Sequence, residues 1–313
     1  MRCTRPVLAY SKPGGGITFG KKHSLALDVH IRCNQCIGCR LYRSREWAIR
    51  ITHEAQMHQD NSFLTLTYSD ENLPLDGSLV PEDHRNFIKR LRKRLSPLQL
   101  RYFHCGEYGE ENLRPHYHCI LFGYSDPDQI PWSKTPTGDT LYRSPLLEKT
   151  WELGHVLVGQ VTPESAQYVA SYTTKKLTVS KQSTEADYRK WSSRYLRADP
   201  YTGEIKEIAP EYSTSSNRPG IGKPWYDRYK SEVFPSDFVI IKGQKMPVPR
   251  YYELLLEREN PTLYAEVKRK RIKNRDRSHD SAQRLQSMET CALARSTLHG
   301  KRNDSSDLHS ARF

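Results

Sequence analysis

RPHYHCILFG, residues 114–123, sets two histidines one residue apart at the head of an apolar run. With 12 His in 313 residues, chance alone supplies about 0.5 such pairs, so the surrounding sequence has to decide what the pair means. In an extended strand alternate side chains share a face. His116 and His118 therefore point one way and Tyr117 the other. Upstream, LQLRYFHCGEYG (98–109) also reads as a strand, and EENLR (110–114) turns the chain. The two strands form an antiparallel hairpin across which Glu107 can join the histidines, with His104 as the alternative third ligand. A His₂–Glu set with open positions suits Mg²⁺ or Mn²⁺ bound to phosphate oxygen. Taken alone, the same histidines also fit two half-buried core residues.

Working outward, FLTLTY (63–68) is β-branched and aromatic and reads as a strand. Leu41, Trp47, Ala48, Ile51 and Ala55 recur near a period of 3.6 and predict a helix before it. PEDHRNFIKRLRKRL (81–95) opens with Pro and acids, as helix starts do. Its apolar stripe is Phe87, Ile88, Leu91 and Leu95; its other face carries Lys89, Arg90, Arg92, Lys93 and Arg94. Residues 125–138 read as a Pro/Asp-rich loop, HVLVGQV (155–161) as a strand, and TPESAQYVASYTTKKL (162–177) as a helix capped by Thr162. A further helix is expected over 250–273. Strand, helix, three strands and helix in that order predict an α+β domain, an antiparallel sheet with helices packed on it.

The charge balance narrows the function. Forty-nine Lys and Arg against 36 Asp and Glu leave a net +13, which points to a polyanion, nucleic acid before membrane. No stretch approaches the roughly 20 apolar residues of a membrane span, and the N-terminus lacks the apolar core of a secretory signal. The expectation is a soluble cytosolic protein, in which clustered cysteines mean metal more than disulfides. Cys33, Cys36 and Cys39 are candidate zinc ligands, with Cys3 the first choice for the fourth and His30 the second.

Tyr168 and Tyr172 stand at i and i+4 and share a helix face, with Lys175 and Lys176 just after them. A phenol is a weak nucleophile at its ordinary pKa of about 10, and a neighbouring ammonium with a metal-bound phosphate would let it attack. An aromatic pair packed on the sheet is the plainer reading of the same residues.

Motif by motif, the chain resembles the HUH endonucleases that start rolling-circle replication. FLTLTY is similar to their first strand motif, RPHYHCILFG to the His–bulky–His metal motif, and YVASYTTKK (168–176) to the Tyr-x-x-x-Tyr-x-x-Lys-Lys motif. With CIGCR (36–40), WELGHVLVGQV (151–161) and RPGIGKPW (218–225), the pattern resembles the initiators of Microviridae, the gokushovirus branch in particular. The resemblance covers about residues 33–225. It implies a ferredoxin/RRM-like palm and a divalent metal, Mg²⁺ or Mn²⁺, on His116, His118 and Glu107. It implies Tyr172 and Tyr168 as nucleophiles aided by Lys175 and Lys176, a 5′-phosphotyrosine intermediate, strand transfer and circle closure. The implied partners are single-stranded and supercoiled circular origin DNA with host helicase and polymerase, no membrane, and the host cell cytoplasm as location. Stored bond energy makes ATP unnecessary, and the chain has no G-x-x-x-x-G-K-[ST] loop.

Four segments are expected: a Cys-rich segment with a zinc site (1–40), the endonuclease core (41–180), its C-terminal extension (181–264) and a basic, largely disordered tail (265–313). Lys89, Arg90, Arg92, Lys93, Arg94 and Arg114 are the expected DNA-backbone contacts. Two other readings stay open. One is an HUH transposase or plasmid relaxase. The other is a non-catalytic, zinc-containing single-stranded DNA-binding protein.

Overall fold

The computed structural model describes residues 2–14, 16–21, 25, 28–109, 112–135, 137–173, 176, 184–199, 202–274, 278 and 280–304. The chain opens with β1 (Val7–Ser11), β2 (Ile17–Thr18) and β3 (Asp28–Ile31), then α1 (Ile37–Ala55) and β4 (Asn61–Tyr68). Next come α2 (Pro81–Arg94), β5 (Arg101–Tyr108), β6 (Pro115–Phe122), β7 (Ile130–Lys134) and β8 (Thr140–Arg143). α3 (Pro145–Trp151), β9 (Gly154–Gly159), α4 (Pro163–Tyr172) and α5 (Glu185–Tyr195) follow. Then come β10 (Leu196–Ala198), β11 (Ile205–Glu207), β12 (Tyr212–Ser215) and α6 (Lys223–Ser236). β13 (Phe238–Ile241), β14 (Gln244–Pro247), α7 (Arg250–Glu259), α8 (Pro261–Lys273) and α9 (Ala282–Asp304) complete it.

The fold is α+β. Its main sheet has seven antiparallel strands in the order β12-β5-β6-β4-β9-β8-β7. The expected hairpin is its centre: β6 pairs β5 on one side and β4 on the other. Alternation along the strands divides the side chains between two cores. Leu64, Leu66, Tyr117, Cys119, Leu121, Val156 and Val158 meet Phe87, Ile88 and Leu91 of α2 and Trp151 of α3. Phe63, Phe103, Cys105, Ile120 and Phe122 meet Ala48 and Ile51 of α1 and Val169 and Ala170 of α4. Helices thus cover both faces, which is why all eight residues of β6 are buried and why it reads as a continuous apolar run.

α4 starts as its sequence predicts. Thr162 accepts from the Ser165 N–H at 3.2 Å, Ser165 returns a bond to the Thr162 N–H at 2.8 Å, and Pro163 sits in the first turn. Other expectations need correction. Residues 125–138 are not all loop, for β7 lies within them as the terminal strand of the sheet, and its Pro131 fits an edge, where a missing N–H costs no ladder bond. The helix expected over 250–273 is two, divided between α7 and α8 before Pro261. The expected disorder after 265 does not hold for the described residues. α9 is helical and buries Leu285 and Ala292, a spacing that returns to one helix face.

The chain divides into two compact units, residues 1–43 with 265–307, and 44–264 with 308–313. The first holds β1–β3, α9 and most of α8; the seven-stranded sheet belongs to the second. Within the first unit Arg2 pairs with Asp280 at 2.7 Å and Arg5 with Glu289 at 2.9 Å, tying its two stretches of chain together.

Trp151 is fully buried, donates its indole N–H to the Thr67 carbonyl at 2.9 Å and packs on Tyr68, Phe87 and Tyr117. Trp151→Ala is expected to cost about 3–5 kcal/mol of stability, read as a lowered urea midpoint with an unchanged m-value.

Candidate active site

The pleat that builds the fold also builds the site. Register places Glu107 opposite His116, and Cys105 and Thr65 opposite His118, on the face that α1 and α4 cover. His116 Nε2 lies 2.8 Å and His118 Nε2 3.0 Å from the same oxygen, Glu107 Oε1. The three donor atoms fall within 4.8 Å of one another, and all three residues are buried.

The far sides of the rings determine what that geometry means. His116 Nδ1 sits 3.2 Å from the Arg114 carbonyl, which can only accept, so Nδ1 carries the hydrogen. In the neutral ring Nε2 then presents a lone pair to a carboxylate oxygen. Two acceptors 2.8 Å apart need either a proton on Nε2 or a cation between them. Thr65 Oγ1 stands 3.1 Å from His118 Nδ1 and holds that ring in the same manner. Such outer partners orient metal-binding imidazoles and raise their basicity. Burial pushes the Glu107 carboxyl up, but His116 and His118 outweigh it and hold the carboxyl well below the usual range. The donor set fits a hard divalent cation.

Both tyrosines of α4 reach this cluster. Tyr172 stacks on the His118 ring at 5.1 Å and 16°, and Phe63 stacks at 5.6 Å and 13°. Tyr168 meets His118 edge-on at 5.4 Å and Tyr172 at 5.0 Å. Tyr172 is buried and Tyr168 half-buried. Burial first, then the charge of Glu107, raise the Tyr172 phenol well above its ordinary pKa, so its hydroxyl stays protonated until positive charge comes beside it. Lys176 is exposed, and Lys175 lies outside the described residues.

The alternative third ligand, His104, is excluded by register. It faces the other side of the sheet, packed on His84 at 3.4 Å and Tyr212 at 5.1 Å between ring centroids. Tyr117, the middle residue of the motif, is a structural anchor on that side. Its hydroxyl donates to the Val80 carbonyl at 2.8 Å and accepts from the Val80 N–H at 2.9 Å. The sequence reading missed Thr65, although FLTLTY carries the signal: Phe63, Thr65 and Thr67 alternate on one face.

The expected DNA contacts scatter. α2 packs on the sheet face opposite the histidines. Arg90 donates to the Thr150 and Trp151 carbonyls at 2.8 and 3.0 Å, Arg92 to Leu100 at 3.0 Å and Arg94 to Lys149 at 3.5 Å. These guanidiniums tie α2 to its neighbours, and Lys89 and Lys93 are exposed beside them. Arg114, at the start of β6, pairs with Asp70 at 2.7 Å and donates to the Tyr68 carbonyl at 3.2 Å.

In the other unit the cysteines come together as a set of four. Cys3, Cys33, Cys36 and Cys39 place their sulfurs within 4.8 Å of one another. His30 is exposed on β3 and takes no part. The Cys3–Cys33, Cys3–Cys36 and Cys33–Cys39 distances are 3.6, 3.8 and 4.0 Å, with no disulfide. A tetrahedron with zinc–sulfur bonds of about 2.3 Å has edges of about 3.8 Å. Backbone N–H groups of Thr4, Cys33 and Cys36 each point at a sulfur from 3.3 Å. Burial works against the Cys36 thiolate, but the Thr4 hydrogen bonds prevail and lower its pKa to about 6. Gly38 is required here, since a Cβ would stand 2.1 Å from the Arg2 carbonyl oxygen.

Comparison with known proteins gives a consistent result. Residues 61–177 match the family described as Replication-associated protein of the ORF2 type. The chain is 34% identical over 276 residues to Replication-associated protein VP4 of Bdellovibrio phage phiMH2K, covering 85% of this chain and 80% of that one. It is 31% identical over 285 residues to Replication-associated protein ORF2 of Spiroplasma virus 4, covering 83% and 81%. With Replication-associated protein ORF4 of Chlamydia phage 1 it shares 30% over 254 residues, covering 77% and 58%. No solved structure matches significantly.

Isothermal titration of Mn²⁺ into the full chain should separate these roles. Thr65→Val is expected to weaken binding about 10-fold, Glu107→Ala more, and His118→Ala to abolish it, with His104→Ala unchanged. Unaltered Mn²⁺ affinity in Glu107→Ala would remove that carboxylate from the ligand set.

Proposed function

The chain belongs to the replication-associated protein family of Microviridae-type phages and acts in phage DNA replication, and from that premise we propose that it nicks single-stranded origin DNA through a phosphotyrosine. The observation that carries this reading is the convergence of Glu107, His116 and His118 beneath two tyrosines that both touch the His118 ring. A divalent cation, Mg²⁺ or Mn²⁺, held by those three residues supplies Lewis-acid polarisation of a phosphate oxygen.

The remaining steps belong to the chain itself. The Tyr172 hydroxyl attacks phosphorus, the bond to the 3′ oxygen breaks, and DNA stays attached by its 5′-phosphate to the phenol. The phenolic proton leaves to solvent, and Lys176, with Lys175, offsets the charge gathered on the phosphate. Host polymerase, with a host helicase, extends the free 3′-OH. Tyr168 then cuts the regenerated origin, and the released 3′-OH attacks the first phosphotyrosine and closes the circle. One helix face holding two phenols against one imidazole explains how both cuts use a single scissile position. Each ester exchange conserves a phosphodiester bond, so ATP is not consumed.

A transposase or relaxase would share this chemistry, and the relatives, all named replication-associated, favour replication. A non-catalytic single-strand binder would need neither the buried carboxylate nor the paired tyrosines. We assign the cysteine cluster to structural Zn²⁺, because its sulfur separations are those of a tetrathiolate site.

Incubation with an origin oligonucleotide and Mn²⁺ should give an SDS-resistant adduct. Tyr172→Phe is expected to lose the first adduct, whereas Tyr168→Phe should nick but release no closed circle. An adduct persisting in the double Phe variant would exclude the tyrosine mechanism. Metal analysis of purified protein should find about one zinc per chain, and Cys36→Ser should lower the melting temperature far more than the nicking rate. Zinc-free, fully stable protein would overturn the assignment.

A further inference from the structure

The positive charge of this protein is almost entirely in one of its two units. Residues 1–43 and 265–307 hold 19 of the 49 Lys and Arg and only 7 of the 36 Asp and Glu, a net +12 of the chain's +13. Residues 44–264 and 308–313, with the sheet, the histidines and the tyrosines, hold 30 basic and 29 acidic residues, a net +1. Four thiolates on one Zn²⁺ would remove two charges from the first unit and leave it about +10.

Three observations make this more than a solvated surface. The charge is concentrated where a metal cluster holds the chain, because Cys3, Cys33, Cys36 and Cys39 lie in that unit. Two of its seven acids, Asp280 and Glu289, are engaged with Arg2 and Arg5, so they do not shield the remaining cations. Finally, α8 exposes Lys268, Arg269, Lys270 and Lys273 within two turns. Cations in a last helical turn complement the helix dipole, and that accounts for two or three of them, not for +12. A unit this charged repels itself unless a polyanion neutralises it.

We propose that this zinc-clamped unit is the DNA-docking module of the protein, binding the phosphate backbone through the exposed cations of α8, while the sheet unit supplies local geometry and chemistry. The proposal rests on the nicking reading for DNA as the polyanion, and it moves backbone binding away from α2. There Arg90, Arg92 and Arg94 are occupied with main-chain carbonyls. An affinity built on phosphate contacts is sequence-independent and salt-sensitive. It would keep the initiator on its template between two cuts that the nearly neutral sheet unit cannot secure by charge.

The test uses the full zinc-loaded chain and fluorescence anisotropy of a labelled single-stranded oligonucleotide across a salt series, with a duplex arm. Arg269→Gln/Lys270→Gln/Lys273→Gln is expected to reduce the slope of log K against log salt by about 2, at roughly 0.7 per lost single-strand contact. Affinity near 0.15 M salt should fall about 10-fold or more. Lys89→Gln/Lys93→Gln on α2 should leave both unchanged. Adduct formation by the α8 variant at saturating DNA and low salt should match the unaltered protein. An unchanged slope in the α8 variant, or an equal loss in the α2 variant, overturns the proposal. So does binding to anionic lipid vesicles that falls while DNA binding holds. If no adduct ever forms but the α8 slope changes as expected, the nicking reading falls and the docking module stands.

Discussion

Everything at the site depends on the two-residue period of one strand. β6 is hydrogen-bonded on both edges and covered on both faces, so its register has no freedom. A slip of one residue would turn His116 and His118 into the α2 core and Tyr117 into the site. Tyr117 resists that slip by bonding the Val80 backbone and the Tyr68 hydroxyl from the far side. The same register sets Glu107 across from His116, so one constraint creates both the apolar core and the ligand set.

A buried carboxylate beside two buried imidazoles is expensive unless charge is balanced. Here the balance is arranged from outside inward. The Arg114 carbonyl orients His116, Thr65 orients His118, and Phe63 and Tyr172 sandwich the second ring. Nitrogen lone pairs and carboxylate oxygen then face the same point, an arrangement suited to a cation. Tyr172 shares the consequence, because the surroundings that hold its phenol protonated are those a cation would reverse. Metal and nucleophile are thus linked by one electrostatic environment.

The two units divide the physics. One is nearly neutral and rigid, with a sheet that positions a few atoms closely; the other carries the cationic surplus around four sulfurs. Short-range geometry and long-range attraction make different demands on sequence. Buried strands need apolar alternation, whereas a salt-dependent docking surface needs only exposed Lys and Arg on a frame that stays folded.

Local pattern is legible because it rests on short-range stereochemistry. The histidine strand, its hairpin, FLTLTY and the capped tyrosine helix could all be read from period, turn residues and caps, and so could the choice of Glu107 and of Cys3. What composition suggested at long range was less dependable. Basic residues on α2 read as a DNA face, yet three of them bond carbonyls of chain outside their own helix. A Pro/Asp-rich segment read as loop supplies an edge strand, since Pro131 lies where no N–H is required. A polar tail read as disordered carries α9, tied by an ion pair to the first five residues of the chain. By itself the sequence determined which residues share a strand or helix face, for that follows from the 2.0 and 3.6 periods of the backbone. Only the tertiary structure decided which faces meet, that Thr65 supports His118 and His104 does not, and that the charge gathers in one unit, because those depend on segments brought together across the whole length of the chain.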